Sequence, residues 1–282
     1  MMNDQRTGRI AFQGEPGANS DTASREKYPG MIPVPCDTFE DVFNALKTGA
    51  VDLAMIPIEN SVAGRVADIH HLMPHSNSFI IDEYFRPIHF QLLAKKGVTI
   101  DAIETVYSHV HALGQCRNII RRNNWKAVVG GDTAGSARMV SERADQTIAA
   151  LAPLLAAQLY DLQILEKNVE DEDHNTTRFI VLSNDEIRTE PDNGDVITSF
   201  IFQVRNIPAA LYKAMGGFAT NGVNMTKLES YQIGGNFFAT QFYADVEGHP
   251  DDKNVQLALE ELRFFCDEFR ILGVYPASPF RS

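Results

Sequence analysis

Cysteine and tryptophan are scarce: 282 residues hold three of the first and one of the second. Cys36, Cys116 and Cys266 lie far apart, with no CxxC pair and no even framework. This argues against a disulfide scaffold or a zinc site and fits a reducing compartment. Also missing is any block of lysine and arginine, since 25 basic and 37 acidic residues leave a net charge of −12. Nonspecific binding to nucleic acid needs a basic footprint, so that class is disfavoured. Long hydrophobic runs are absent too. The most apolar stretch, "TIAALAPLLAAQLY" (147–160), has helical character but is too short to span a bilayer and carries Pro153. The opening "MMNDQRTGRI" lacks the apolar centre of a signal peptide. The expectation is a cytoplasmic protein with neither nucleic-acid nor membrane partners.

What is present is a 44% hydrophobic content, enough for a sizeable core in one large or two ordinary domains. The first two-thirds alternate apolar runs with helical patterns. Expected strands are 9–14, 31–36, 52–57, 105–109, 126–131 and 178–183. In "DTFEDVFNALKTG" between them, Thr38 and Asp41 form a capping-box pattern and Gly49 a stop. Such alternation predicts an α/β domain with mostly parallel sheet. The longer "FIIDEYFRPIHFQLLAK" interrupts it and reads as a crossing between two lobes. Near Asp185 the texture becomes polar, and "NDEIRTEPDNGD" reads as a linker. The remainder gives strand, helix, two strands separated by Gly234-Gly235, helix, strand. That βαββαβ order predicts a ferredoxin-like module.

Three expected strands end in small hydroxyl or amide residues: Asn60 and Ser61, then Ser108 with Gln115 beyond it, then Thr133. Ligands gather at the carboxyl ends of parallel strands, where helix N-termini favour anions. These residues therefore read either as helix caps or, together, as a holder for a small dicarboxylate. The Gly-rich segments lack the Gly-Lys-Ser/Thr of a P-loop, and "GEPGANS" misses the dinucleotide spacing. His71 and His75 stand four apart, but Pro74 lies between them and no carboxylate completes a metal set. The acidic run Glu170–Asp173 reads as a solvated turn.

"IAFQGEPGANS", "PIENSVAG", "SHVHALGQC" and above all "NTTRFIVLS" resemble, in that order, the signature segments of prephenate dehydratase. The resemblance implies residues 8–184 as catalytic domain, two α/β lobes around a cleft of the periplasmic-binding-protein type. A linker at 185–195 and an ACT regulatory domain at 196–282 would follow. It implies conversion of prephenate to phenylpyruvate, water and carbon dioxide in phenylalanine biosynthesis, with no metal or organic cofactor. The family's essential threonine falls on Thr177, Arg178 and Phe179 complete a Thr-Arg-Phe triplet, and Asn60, Ser61, Ser108, Gln115 and Thr133 fall in the pocket. A bidentate guanidinium suits a carboxylate, so Arg178 is expected to pair with substrate.

ACT domains of this family bind phenylalanine between two copies, which implies a homodimer or homotetramer. Expected effector contacts are Ala210, Leu211, Asn221, Val223, Asn224, Glu229 and Ser230. The family's Gly-Ala-Leu stretch is here Ala209-Ala210-Leu211, and Tyr231-Gln232 replace its Arg-Pro. Arogenate dehydratase, or a two-lobed sensor without chemistry, are the alternative readings.

Overall fold

The computed structural model describes residues 6–191, 194–232 and 239–281. They divide into two compact units, residues 1–66 with 84–179, and 67–83 with 180–282. The turn expected at Gly234-Gly235 lies outside the described residues. Among these residues, no helix is long and apolar enough to cross a membrane.

The first sheet has the order β2-β1-β3-β11-β5, formed by Met31–Cys36, Gly8–Gln13, Leu53–Asn60, Thr176–Ser183 and Phe79–Pro87. A short β4 (Gly64–Arg65) folds back antiparallel on β3. Helices α1 (Asn19–Lys27) and α2 (Phe39–Lys47) connect β1, β2 and β3, which run parallel. The predicted box at α2 is present: Asp41 N–H donates to Thr38 Oγ1 at 3.1 Å and Thr38 N–H to Asp41 Oδ2 at 3.2 Å. Gly49 follows with φ +71°, where a side chain would be strained. Helix α3 (Ala67–Leu72) leads towards β5.

The second sheet has the order β10-β6-β9-β7-β8: Gln163–Glu166, Gln91–Ala94, Ile148–Ala152, Thr105–Ser108 and Lys126–Val129. It is mixed, with β7 parallel to β8 and β9 while β6 runs antiparallel to β9 and β10. Its short helices are α4 (Val110–Gln115), α5 (Arg117–Arg122) and α7 (Leu154–Leu159), beside the longer α6 (Thr133–Glu142). Residues 147–160, expected to be helical, are instead β9 followed by α7. All five β9 residues are buried, three of them alanine. Ala134 and Ala137 of α6 pack with Ala150, Ala152, Ala156 and Ala157 in one alanine-rich core.

The C-terminal module has the predicted βαββαβ order: β12 (Val196–Val204), α8 (Ala210–Thr220), β13 (Met225–Gln232), β14 (Ala239–Glu247), α9 (Lys253–Phe265) and β15 (Cys266–Pro276). Its sheet, β13-β14-β12-β15, is antiparallel. Phe200, Phe202, Phe242 and Ala244 pack with residues of α8 and α9. Strand alternation sends Ser199, Tyr243 and Asp245 to the other face, and all three are buried. There Arg281 donates from Nε and Nη2 to the two oxygens of Glu83, at 2.6 and 2.9 Å. Its Nη2 also lies 3.9 Å from Asp245 Oδ2. Arg270 Nη2 donates to the Ser78 carbonyl at 3.0 Å. Residues 67–83 thus belong to this unit through contacts with its last strand and its end.

Candidate active site

The end of β3 does not open a helix, as its Asn60-Ser61 pair suggested. The chain turns back at once, because Asn60 Oδ1 accepts from the backbone N–H groups of Val62 (3.0 Å) and Ala63 (2.7 Å). This Asx turn starts the β3–β4 hairpin. Ser61 then stitches the turn to the start of β11. Its N–H donates to the Thr176 carbonyl (2.9 Å), its hydroxyl donates to the His174 carbonyl (2.7 Å), and its oxygen accepts from Thr176 N–H (2.9 Å). With donor and acceptor both engaged by backbone, Ser61 fixes the geometry of the turn.

Around this stitch the side chains of Asn60, Thr177 and Gln115 are linked. Asn60 Nδ2 donates to Thr177 Oγ1 at 2.9 Å and to Asn175 Oδ1 at 2.7 Å. Asn175 Nδ2 donates to Gln115 Oε1 at 2.9 Å. Asn175 is 3% exposed and was not singled out by sequence reasoning. Strand alternation did not mark it, because Asn175 precedes β11, which begins at Thr176.

Gln115 ends α4, and the acidic run holds it there. Asp171 N–H donates to the Gln115 carbonyl at 2.6 Å, while the Asp171 carboxylate accepts from the N–H groups of Arg117 (2.9 Å) and Asn118 (3.0 Å). Glu170 Oε2 accepts from Phe90 N–H at 2.9 Å. The expectation of a merely solvated turn is corrected for these two residues. Their carboxylates satisfy backbone donors that would otherwise lack partners.

The other expected site residues are engaged in different ways. Ser108 is fully buried at the end of β7, its hydroxyl donating to the Leu151 carbonyl at 2.6 Å. Thr133 is the first residue of α6, whose cap is Asp132. The Asp132 carboxylate accepts from Gly135 N–H at 2.7 Å, so a negative group already occupies that helix end. The small residues after Thr133 admit the packing of α6 on its sheet. Arg178 is 3% exposed, its Nη1 donating to Glu59 at 2.9 Å and its guanidinium carbon 5.8 Å from the Phe85 ring centre. The guanidinium expected to meet a substrate carboxylate therefore already has one in Glu59. Phe179 is core, 1% exposed.

His109 caps α4, its Nδ1 accepting from His111 N–H at 3.4 Å. Burial, and then the neighbouring His111, hold its pKa below the ordinary 6.5, against an upward pull from Asp132. The imidazole is therefore neutral at neutral pH, as an acceptor cap requires. Cys116, next to Gln115, is fully buried, and burial pushes its thiol pKa well up. It is a packing residue without nucleophilic character.

In the C-terminal unit, Ala210 and Leu211 begin α8, with Ala210 buried and Leu211 packed against the core. Asn221 caps the end of α8 and donates from Nδ2 to the Gly217 carbonyl at 2.8 Å. Val223 lies in the core, 7% exposed, and Asn224 Nδ2 donates to Glu247 at 2.9 Å. Glu229 and Ser230 sit on β13, Glu229 accepting from Lys227 Nζ at 3.3 Å. Burial raises the Tyr231 phenol pKa.

Comparison with known proteins bears on these arrangements. The prephenate dehydratase family profile matches residues 10–187. A "bifunctional N-acyl-homoserine lactone acylase/prephenate dehydratase" of Komagataeibacter europaeus is 48% identical over 280 residues, 99% of either chain. "Arogenate dehydratase/prephenate dehydratase 1, chloroplastic" of Arabidopsis thaliana is 36% identical, covering 95% of this chain and 72% of its own. The crystal structure of a prephenate dehydratase from Arthrobacter aurescens in complex with L-Phe superposes with a TM-score of 0.87 at 30% identity, covering 95% of this chain and 90% of its own.

Proposed function

Starting from the membership of this chain in the prephenate dehydratase family, a family of hydro-lyases, we propose that it converts prephenate to phenylpyruvate at the Asn60–Thr177–Gln115 site. The observation that carries this reading is the bond from Asn60 Nδ2 to Thr177 Oγ1. With its oxygen already accepting, the Thr177 hydroxyl has its own hydrogen to donate.

The chemistry asks for such a donor. Prephenate, a dianion, takes up one proton and yields the phenylpyruvate anion, carbon dioxide and water. The bond to the ring carboxylate breaks and its electron pair enters the ring. The ring becomes aromatic as the bond to the hydroxyl breaks, and hydroxide leaves with the proton as water. Aromatisation supplies the driving force, and the barrier is the charge developing on the departing oxygen. A threonine hydroxyl is too weak an acid to be the proton's source. Thr177 donates a hydrogen bond to the departing oxygen, and solvent supplies the proton. Gln115 offers its amide hydrogens to a carboxylate. Arg178 acts through Glu59, steadying the end of β3 beside Asn60.

The C-terminal unit is read as an ACT domain that binds L-phenylalanine across paired copies, a property that fits the L-Phe complex of the Arthrobacter enzyme. A cytoplasmic homodimer or homotetramer goes with this reading. The Arabidopsis name makes arogenate an alternative substrate. The 48% identity to the Komagataeibacter protein makes amide hydrolysis of an N-acyl-homoserine lactone a second activity to test.

One assay tests these readings. Purified protein is incubated with prephenate, arogenate or an N-acyl-homoserine lactone, following aromatic product or free amine, with and without L-phenylalanine. Turnover of prephenate is expected, reduced by phenylalanine. Thr177→Ala is expected to lower kcat by about two to three orders of magnitude, the usual effect of losing one donor to a developing oxyanion. Near-normal turnover by that variant would remove Thr177 from the chemistry.

A further inference from the structure

The hydrogen bonds around Thr177 have a direction, and a single anchor sets it. Val62 N–H and Ala63 N–H can only donate, and both point at Asn60 Oδ1. The opposite edge of that amide, Nδ2, must therefore face Asn175 and Thr177, and its two hydrogens go one to each. This fixes Asn175 in turn: its oxygen is taken by Asn60, so its Nδ2 is what meets Gln115 Oε1. Gln115, with its oxygen engaged, has Nε2 to present.

We propose that Asn175 is a positioning residue that passes the polarity of the β3–β4 turn to Gln115. Gln115 and Thr177 then both face the ligand as donors, and the site selects a group that can only accept, such as a carboxylate or a departing oxyanion. Burial supports this role. At 3% exposure Asn175 has little access to water, so a reversed amide would set like groups against each other at both ends. The Gln115 main chain cannot drift to compensate, because Asp171 N–H holds its carbonyl at 2.6 Å. The kinetic part of the inference rests on the dehydratase reading, so a substrate-free readout is needed beside it.

Asn175→Asp is the discriminating change. An ionised aspartate has nearly the same shape and still accepts from Asn60, leaving Thr177 its bond. It cannot donate to Gln115. Gln115 then turns over to donate to the introduced carboxylate and presents Oε1 to the substrate carboxylate. KM for prephenate is expected to rise about ten- to a hundredfold, the usual cost of losing a hydrogen bond to a charged group, with a smaller fall in kcat. Protonation of the introduced carboxylate restores one donor and one acceptor. The ratio of variant to wild-type kcat/KM should therefore recover as pH falls, with spontaneous aromatisation of prephenate subtracted at each pH.

The substrate-free readout is the side-chain amide resonance of Gln115, assigned by its loss in Gln115→Glu. In Asn175→Asp it should titrate with the introduced carboxylate, and in wild type it should stay constant over that range. Should Asn175→Asp fail to fold, Gln115→Glu carries the test, because its ionised side chain presents only acceptors and KM should rise with pH. A pH-independent activity ratio, or a loss confined to kcat, overturns the proposal. An untitrating Gln115 resonance does so whatever the substrate. A wild-type protein inert to prephenate whose variant resonance still titrates would overturn the dehydratase reading alone.

Discussion

His109 is a single side chain whose ionisation bears on the cap of one short helix. Its Nδ1 must stay unprotonated to accept from His111 N–H, and Gln115 lies at the far end of that helix. The folded-state pKa is lowered, so below about 6.5 the unfolded chain takes up a proton that the folded chain resists. Stability contributed at this position is full above that pH, is lost as the pH falls towards the folded pKa, and changes no further below it. His109→Asn keeps a capping oxygen and removes the titration. Urea midpoints measured from pH 7.5 to 5 should fall less steeply for the variant. Identical slopes would show that His109 does not couple proton uptake to stability. At this scale the site was partly legible in the sequence. Asn60 and Gln115 were reached from the pattern at strand ends and Thr177 through the resemblance, and the structure links them through bonded side chains. Asn175 was hidden because an asparagine before a strand ordinarily reads as a turn residue. Its partner, Gln115, is 60 residues away in sequence.

Among the elements, α8 starts under strain. Ala209, its cap, has φ +62°, in the left-handed region where a Cβ costs about 1–2 kcal/mol. Glycine adopts this backbone freely but loses more entropy on folding, so Ala209→Gly should raise stability by about 0.5–1 kcal/mol net. Denaturant unfolding measures this, and a loss of stability would mean that the cap is not strained. Strand β13 and the helix box at Thr38 were legible because each follows a local rule, alternation in the one and capping in the other. Strand β9 was not. A central strand buried on both faces shows no alternation, and its alanines carry high helix propensity. The hairpin after Asn60 was missed for a similar reason, since asparagine and serine start Asx turns as readily as helices.

For the molecule as a whole, the C-terminal unit draws on two stretches of chain that Arg281 and Arg270 help to join. Glu83 and Asp245 have fully buried side chains, and Arg281 serves both. Arg281→Met keeps much of the apolar stem and removes the charge. Stability should fall by about 3 kcal/mol, because a carboxylate left buried without its cation costs more than the pair contributes. Calorimetry of the full chain reads this loss, and an unchanged melting profile would mean that the fork to Glu83 carries no weight. Hydropathy and propensity cannot show such a link, since they act over a few turns of chain while this pair is separated by 198 residues.

That separation is also an interval of time. A ribosome adding about 5–20 residues per second needs roughly 10–40 s to travel from Glu83 to Arg281. Ile69, Met73, Ile80 and Ile81, buried in the finished protein, emerge early, and Gly273, which packs against Ile80, follows only near the end of that interval. The newborn chain thus carries an oily strip whose shelter is still being translated, a natural landing place for a chaperone.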